Sequence, residues 1–560
     1  MVKFDNSKFY KYQEIRDFLD EVEKAYPDLI SVSVIGKSHE GREIVVATLT
    51  NKKTGLDTEK PGYWIDANIH AGEVTGATVA LYTIWRYTSE YGKDERITRL
   101  MNDYTVYVCP RISVDGSELY LTSPHILRSS TKRYPHTDDR DGLYPEDVDG
   151  DGRILQMRIK DTNGPWRVSE KDKRVMVKRK PDEFGGEYYS LISEGIINNF
   201  DGHEVKLAGP RHGLDLNRNF PYDWAPEGVQ SGAGDFPFSE PETRSLAEFW
   251  TTHKNINGFV EYHTYSGVFL RPYSTYPDSQ FSTHDLEVFK LIGGRATEIT
   301  GYPCVSVFHN FAYDPKEPMH GVMDDYCFDY FGWFGFTDEL WDAPTAAGID
   351  LKQDWINWTK NHPEEDDLKI MEWNDKKLHG KGFETWREFD HPQLGKVEIG
   401  GWDYKYAWQN APAEYLPEIC EKHSTFTLAH ALMSSRLELV RSDVEAVGDG
   451  AYKISVVVSN TGFLPTYTSK RGLERKAVRP MEVSLKLPKG ATILSGKADQ
   501  EAGQLEGRTN KIYSGWYSSR VMTDNQKRFE WIVRSGKGGS AQVTVMSERA
   551  GTLRATLDLA

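Results

Sequence analysis

His70 and Glu73 stand three residues apart at the end of an apolar run over residues 63–69. An imidazole closing a strand and a carboxylate entering the next helix can converge on one cation. Zinc takes such a mixed nitrogen and oxygen set, and a hydrolytic zinc site needs a third protein ligand and an open fourth position. The pair alone decides little. His-x-x-Glu arises often by chance, and a Glu in a first helical turn is favoured by the helix dipole in any case. Three more segments carry chemistry-bearing residues in chain order: Asp215-Leu216-Asn217-Arg218-Asn219, Glu261-Tyr262-His263-Thr264-Tyr265 and Thr337-Asp338-Glu339-Leu340. Singly, each is more often structural or solvated than functional.

The elements that must position these residues follow from periodicity. Tyr10, Ile15, Phe18, Leu19, Val22 and Tyr26 recur at helical spacing, and Pro27 stops that helix. Residues 30–36 and 44–50 read as strands around the turn His39-Glu40-Gly41-Arg42. Residues 63–69 and 104–109 read as buried strands, with a helix through Ala77, Ala80, Leu81, Ile84 and Trp85 between them. Two further buried strands are expected at 258–263 and 335–340, and a last helix at 414–437. The alternation predicts an α/β domain with a mixed, largely parallel central sheet flanked by helices. Residues 136–205, rich in Asp, Gly, Lys and Arg, break the pattern. Beyond about residue 438, short strands between Gly, Pro and Asn turns predict an all-β sandwich. The expected domains are 1–437, with an insertion over about 131–210, and 438–560.

Composition narrows the classes. At 560 residues, two or three domains are expected. A net charge of −16 with no basic run excludes a general phosphate-backbone binder, so no nucleic-acid partner is expected. The four cysteines are widely spaced and form no Cys-x-x-Cys, which excludes a cysteine zinc site and a disulfide scaffold. No run of eighteen apolar residues occurs, so no membrane span is expected. No leader is visible. The chain as it stands reads as cytoplasmic, or as secreted or periplasmic if a leader was removed.

Taken together and in this order, the motifs resemble the zinc metallocarboxypeptidase family of the carboxypeptidase A type. The likeness runs from about residue 8 to about 430 and includes the turn Gly36-Lys37-Ser38-His39-Glu40-Gly41-Arg42. It implies that His70, Glu73 and His263 hold one zinc ion and that Asp215 orients His70. It also implies that Asn217 and Arg218 grip the substrate's terminal carboxylate, as a planar guanidinium suits. Arg128 is implied as the stabiliser of the developing oxyanion, Glu339 as the general base, and Tyr265 as an aromatic lining the subsites. Tyr313 is implied as the Tyr covering the bound carboxylate, with Tyr326 as its competitor. The implied substrates are peptide and protein C-termini.

Some positions depart from the family pattern. Gly72 stands where digestive members carry an Arg. Met323, just before Asp324, is expected at the specificity pocket and implies a neutral, apolar one, whereas an acid there would select Lys or Arg termini. Arg271 is a second group that could reach the pocket and favour acidic termini, although an Arg at a strand end is more often solvated. Within the insertion, Asp139, Asp141, Asp147, Asp149 and Asp151 alternate with other residues, and Gly152 takes the sixth place of the last stretch. That resembles the start of a calcium loop, although Arg158 stands where an EF-hand keeps Glu. Two rival functions share the sequence: a specialised amidohydrolase acting on γ-glutamyl, cell-wall peptide or polyglutamate substrates, and a non-catalytic binding protein.

Overall fold

The computed structural model describes residues 2–312, 316–511, 522–536 and 538–559. Its central element is an eight-stranded sheet. The strands are β1 (Ile30–Lys37), β2 (Glu43–Leu49), β3 (Gly62–Ala67), β4 (Thr105–Cys109), β5 (Ile256–Thr264), β6 (Val268–Arg271), β7 (Cys304–Ser306) and β8 (Phe334–Leu340). In space they run β1-β2-β4-β3-β5-β8-β6-β7. The four middle strands, β4, β3, β5 and β8, are mutually parallel, and antiparallel pairs lie to either side of them. Every residue of β3 and β5 is buried, as expected for parallel strands covered on both faces.

Helices supply the cover. α1 (Tyr12–Ala25) buries Ile15, Phe18, Leu19 and Val22, the apolar stripe expected from spacing. α2 (Thr75–Ser89) is buried along almost its whole length, because the sheet lies on one side and the later helix α5 (Leu416–Ala431) on the other. These helices share one core with α4 (Thr283–Thr300). On the opposite face α3 (Pro241–Thr252) packs Leu246, Phe249 and Trp250 onto Trp64, Tyr107 and Phe259.

The insertion is more ordered than its composition suggests. Gln156–Lys160, Trp166–Val168, Met176–Lys178 and Tyr189–Ser193 join the hairpin Phe383–His391 and Gly395–Trp402 in one six-stranded antiparallel sheet. Leu155, Met157, Val397 and Ile399 bury a small core of its own. That hairpin, far along the chain, pairs with Gln156–Lys160.

The C-terminal part is two four-stranded antiparallel sheets. Alternate residues of Met481–Lys486 and Gln526–Arg534 point inward, and both sheets share one apolar core that includes Ile454, Val456, Val483, Trp531 and Val543. Polar contacts dock it on the α/β unit. Asp329, fully buried, pairs with Arg471 and Arg475, and Arg549 Nη2 donates to the Phe331 carbonyl at 3.1 Å. Among the described residues no helix is long and apolar enough to cross a membrane.

Candidate active site

Ligands of open parallel sheets gather at the carboxyl ends of the strands. His70 follows β3, His263 is the penultimate residue of β5, and Glu339 is the penultimate residue of β8, directly opposite His263 in register. Three chain segments, the outermost 269 positions apart (339 − 70), thus meet because their strands are neighbours.

His70 Nδ1 lies 2.9 Å from Glu73 Oε1, and His263 Nδ1 lies 3.0 Å from Glu73 Oε2. One ligand atom from each of the three residues falls within 4.8 Å of the others, close enough for a single ion. The donor set, two imidazole nitrogens and a carboxylate oxygen, suits zinc in a hydrolytic site. The far nitrogens are held as well. His70 Nε2 is 3.1 Å from Asp215 Oδ1, and His263 Nε2 is 2.9 Å from Glu261 Oε1, at ion-pair distance but without hydrogen-bond alignment. Carboxylates in such places fix ring orientation and raise ligand basicity. Asp215 was expected from sequence; Glu261 was not, although its place two before His263 on a strand puts both side chains on one face.

Charge balance follows the geometry. Burial alone would raise Glu73, but the two imidazoles beside it hold its carboxyl well below the usual range. Asp215 is likewise held low against its burial by Arg128, Arg218 and His70. Burial would depress His263, yet Glu261 and Glu73 raise it well above the usual imidazole range. Glu339 moves the other way. Burial, with Glu73 and Glu261 nearby, pushes it up to about 8 against the pull of His263 and Arg128. Its Oε2 is buried without a hydrogen-bond partner.

Around this centre, Arg128 donates from Nε to Asp215 Oδ2 at 2.8 Å and reaches Glu73 Oε1 with Nη1 at 3.4 Å. Asn217 and Arg218 sit on a 3-10 turn, Leu216–Arg218, whose start Asp215 caps. Asn217 Oδ1 accepts from the Met323 N–H at 2.8 Å, and Arg218 Nη1 donates to the Asn217 carbonyl at 2.7 Å. Gly321, at φ +68°, lets its loop pass directly over the Arg218 carbonyl, where a Cβ would clash. Tyr265 meets Tyr404 edge-on, with ring centroids 6.5 Å apart.

The Met323 side chain is buried in the core with Trp250, Phe259 and Trp333, and its N–H bonds Asn217. The next residue, Asp324, is the one acted on by Glu261, His263 and Arg218; burial, then Glu261, pushes its carboxyl up to about 7. Arg271 is buried and held by Asp278 through contacts of 2.8 and 2.7 Å, so it does not serve the pocket. Tyr326 packs among Phe220, Phe238 and Trp250. Tyr313 lies outside the described residues.

Of the five insertion aspartates, Asp147, Asp149 and Asp151 come together. Backbone N–H groups of residues 150–152 and the side chains of Arg387 and Arg153 already meet their charge. Asp139 is taken by Arg133 and Arg211, and Asp141 accepts from Asn199. One oxygen from each of Asp147, Asp149 and Asp151 lies within 4.8 Å of the others. Strand pairing and arginine contacts order the insertion around them.

Comparison with known proteins adds two family matches. Residues 15–362 match a family described as zinc carboxypeptidase, and residues 436–558 match one described as a domain of unknown function. Carboxypeptidase B2 of Bos taurus is 24% identical over 349 residues, 60% of this chain and 63% of that one. Carboxypeptidase A1 of Rattus norvegicus is 23% identical over 346 residues, 61% and 64% respectively. The chain therefore spans just under two thirds of the length of these curated relatives. A solved structure of thrombin activatable fibrinolysis inhibitor matches with a TM-score of 0.46 and 19% identity, over 76% of this chain and 75% of that one.

Proposed function

The chain belongs to the zinc carboxypeptidase family, and from that premise we propose that it removes C-terminal residues from peptides by hydrolysis. The observation that carries the reading is the convergence of His70 and His263 Nδ1 on Glu73, with Glu339 opposite His263.

His70, Glu73 and His263 would hold one zinc ion. When bound, the ion supplies a Lewis acid for the scissile carbonyl and lowers the pKa of water toward about 7. The remaining roles fall to side chains. The Glu339 carboxylate accepts the proton of the attacking water and delivers it to the leaving amine nitrogen. The Arg128 guanidinium, 41% exposed at the site's edge, donates to the oxygen that gains charge. Asn217 and Arg218 bind the substrate's terminal carboxylate and so place the last peptide bond at the ligands. Asp215 and Glu261 hold the two imidazoles. We read residues 1–437 as the catalytic unit and 438–560 as an appended β-sandwich.

Met323 bears on the substrate class. It is the residue of this turn that the resemblance places at the specificity pocket, and a neutral thioether there favours an apolar last residue over a cationic one. Hydrolysis of peptides that differ only in their last residue tests this. Leu and Phe termini are expected to exceed Lys and Arg in kcat/KM, and Met323→Asp is expected to reverse the order. A preference for Lys or Arg in the unsubstituted protein would contradict it. Free, amidated and γ-linked peptides in the same panel separate a carboxypeptidase from the amidohydrolase reading.

A further inference from the structure

A cavity of about 630 Å³ opens on Arg128, between the α/β unit and the insertion. Ile126 and Leu127 form one wall, Tyr144 and Pro145 of the insertion another, and Tyr404 a third. A neighbouring cavity of about 370 Å³ shares Ile126, Pro145 and Tyr404 and adds Trp402 and Trp408. The two are one groove with common walls. Ile126 and Tyr404 are 44% and 40% exposed, and contiguous exposed apolar surface marks a binding site. The charges at its edge are engaged: Arg211 Nη1 contacts Glu146 at 3.0 Å and its guanidinium covers the Tyr144 ring at 3.9 Å.

The groove is continuous with the catalytic centre at two points. Arg128 lines both, and Tyr404 touches Tyr265, two residues after His263. The segment that carries Tyr404, Tyr404–Gln409, also fills the rim at Gly72. A Cβ there would lie 2.7 Å from Gln409 Nε2 and 2.9 Å from the Tyr120 ring. The rim position beside Glu73 is thus built by a distant segment instead of by its own side chain.

Resting on the carboxypeptidase reading, we propose that this groove binds the peptide chain on the N-terminal side of the scissile bond and accepts apolar and aromatic side chains there. The direction follows from the site. A substrate with its carboxylate at Arg218 and its last peptide bond at the ligands leaves past Arg128, where the groove begins. Its lining of Ile126, Pro145, Tyr404, Trp402 and Trp408 suits apolar residues, because the nearby ionic groups are already paired.

Calorimetric binding to the full-length, zinc-loaded Glu339→Gln protein tests this without turnover. The ligands are a hexapeptide with Phe at the three positions before the last residue, its Gly counterpart, and a blocked dipeptide with the same end. The Phe hexapeptide is expected to bind on the order of tenfold tighter than the Gly one. Tyr404→Ala and Ile126→Ala in that background are each expected to narrow the ratio on the order of threefold. Equal affinity for the two hexapeptides, or a ratio unchanged by both substitutions, overturns the groove. Hydrolysis by the unsubstituted protein separates the levels. If free-carboxylate peptides are cleaved no better than amidated ones, the carboxypeptidase reading falls whatever the groove binds.

Discussion

Asp215 hydrogen-bonds the far nitrogen of His70, and Glu261 lies at ion-pair distance from the far nitrogen of His263, so each imidazole has a carboxylate beside it. Removing such a partner typically weakens metal binding by about 10–100-fold. Glu261→Ala is therefore expected to lower zinc affinity within that range in a competition with a chromogenic chelator; unchanged affinity would reduce Glu261 to a bystander. That His70, Glu73, His263, Asp215 and Glu339 meet at one place was legible in the sequence, because each sits in a motif whose neighbours fix its register. Glu261 was legible in principle, by the period of two along a strand. The helical turn Met323–Tyr326 was less legible, because four residues, all of them buried, are too few to show a period.

Among elements, β5 and β8 carry the most consequence, since they hold His263 and Glu339 in register. Gly335 of β8 lies opposite Phe259 of β5, and the ring occupies the space of a Cβ. Gly335→Ala must displace that ring from a packed core, at a cost of about 1–3 kcal/mol. A fall in Tm is expected, with a larger loss of activity than an equally destabilising surface substitution, because the same strands place His263 and Glu339. The buried parallel strands and α1 were legible because their apolar patterns are long and regular. The insertion sheet was not. Trp166–Val168 and Met176–Lys178 are three-residue, half-buried strands too short to show a period, and the sheet they end is completed by a hairpin some two hundred residues later that pairs with Gln156–Lys160. Local periodicity carries no trace of such a partner.

At the scale of the whole molecule, buried ionisable groups tie stability to pH. Glu242, at the start of α3, is 2% exposed and accepts from the His39 N–H at 2.9 Å. Burial, with Asp115 and Glu240 nearby, pushes its carboxyl from the usual 4.5 up to about 7. The folded state thus keeps a proton that the unfolded state releases over that interval. The stability it contributes is full below about pH 4.5 and is lost as pH rises through about 7. Glu242→Gln is expected to stabilise the protein at pH 8 by on the order of 2 kcal/mol and to leave it nearly unchanged at pH 4.5, as read by denaturant midpoints. A gain equal at both values would contradict this origin. The α/β class and the C-terminal sheets were legible at this scale, whereas the docking through Asp329, Arg471, Arg475 and Arg549 was not, because it joins residues with no motif of their own. The most direct test of the whole account is release of the last residue from a free-carboxylate peptide and its amidated twin, by the unsubstituted protein and by Glu339→Gln, with bound metal quantified in both. The expected result is one zinc per chain in each protein, cleavage of the free peptide alone, and loss of turnover in Glu339→Gln. Cleavage of the amidated twin at the same rate, or retained turnover in Glu339→Gln, would contradict it.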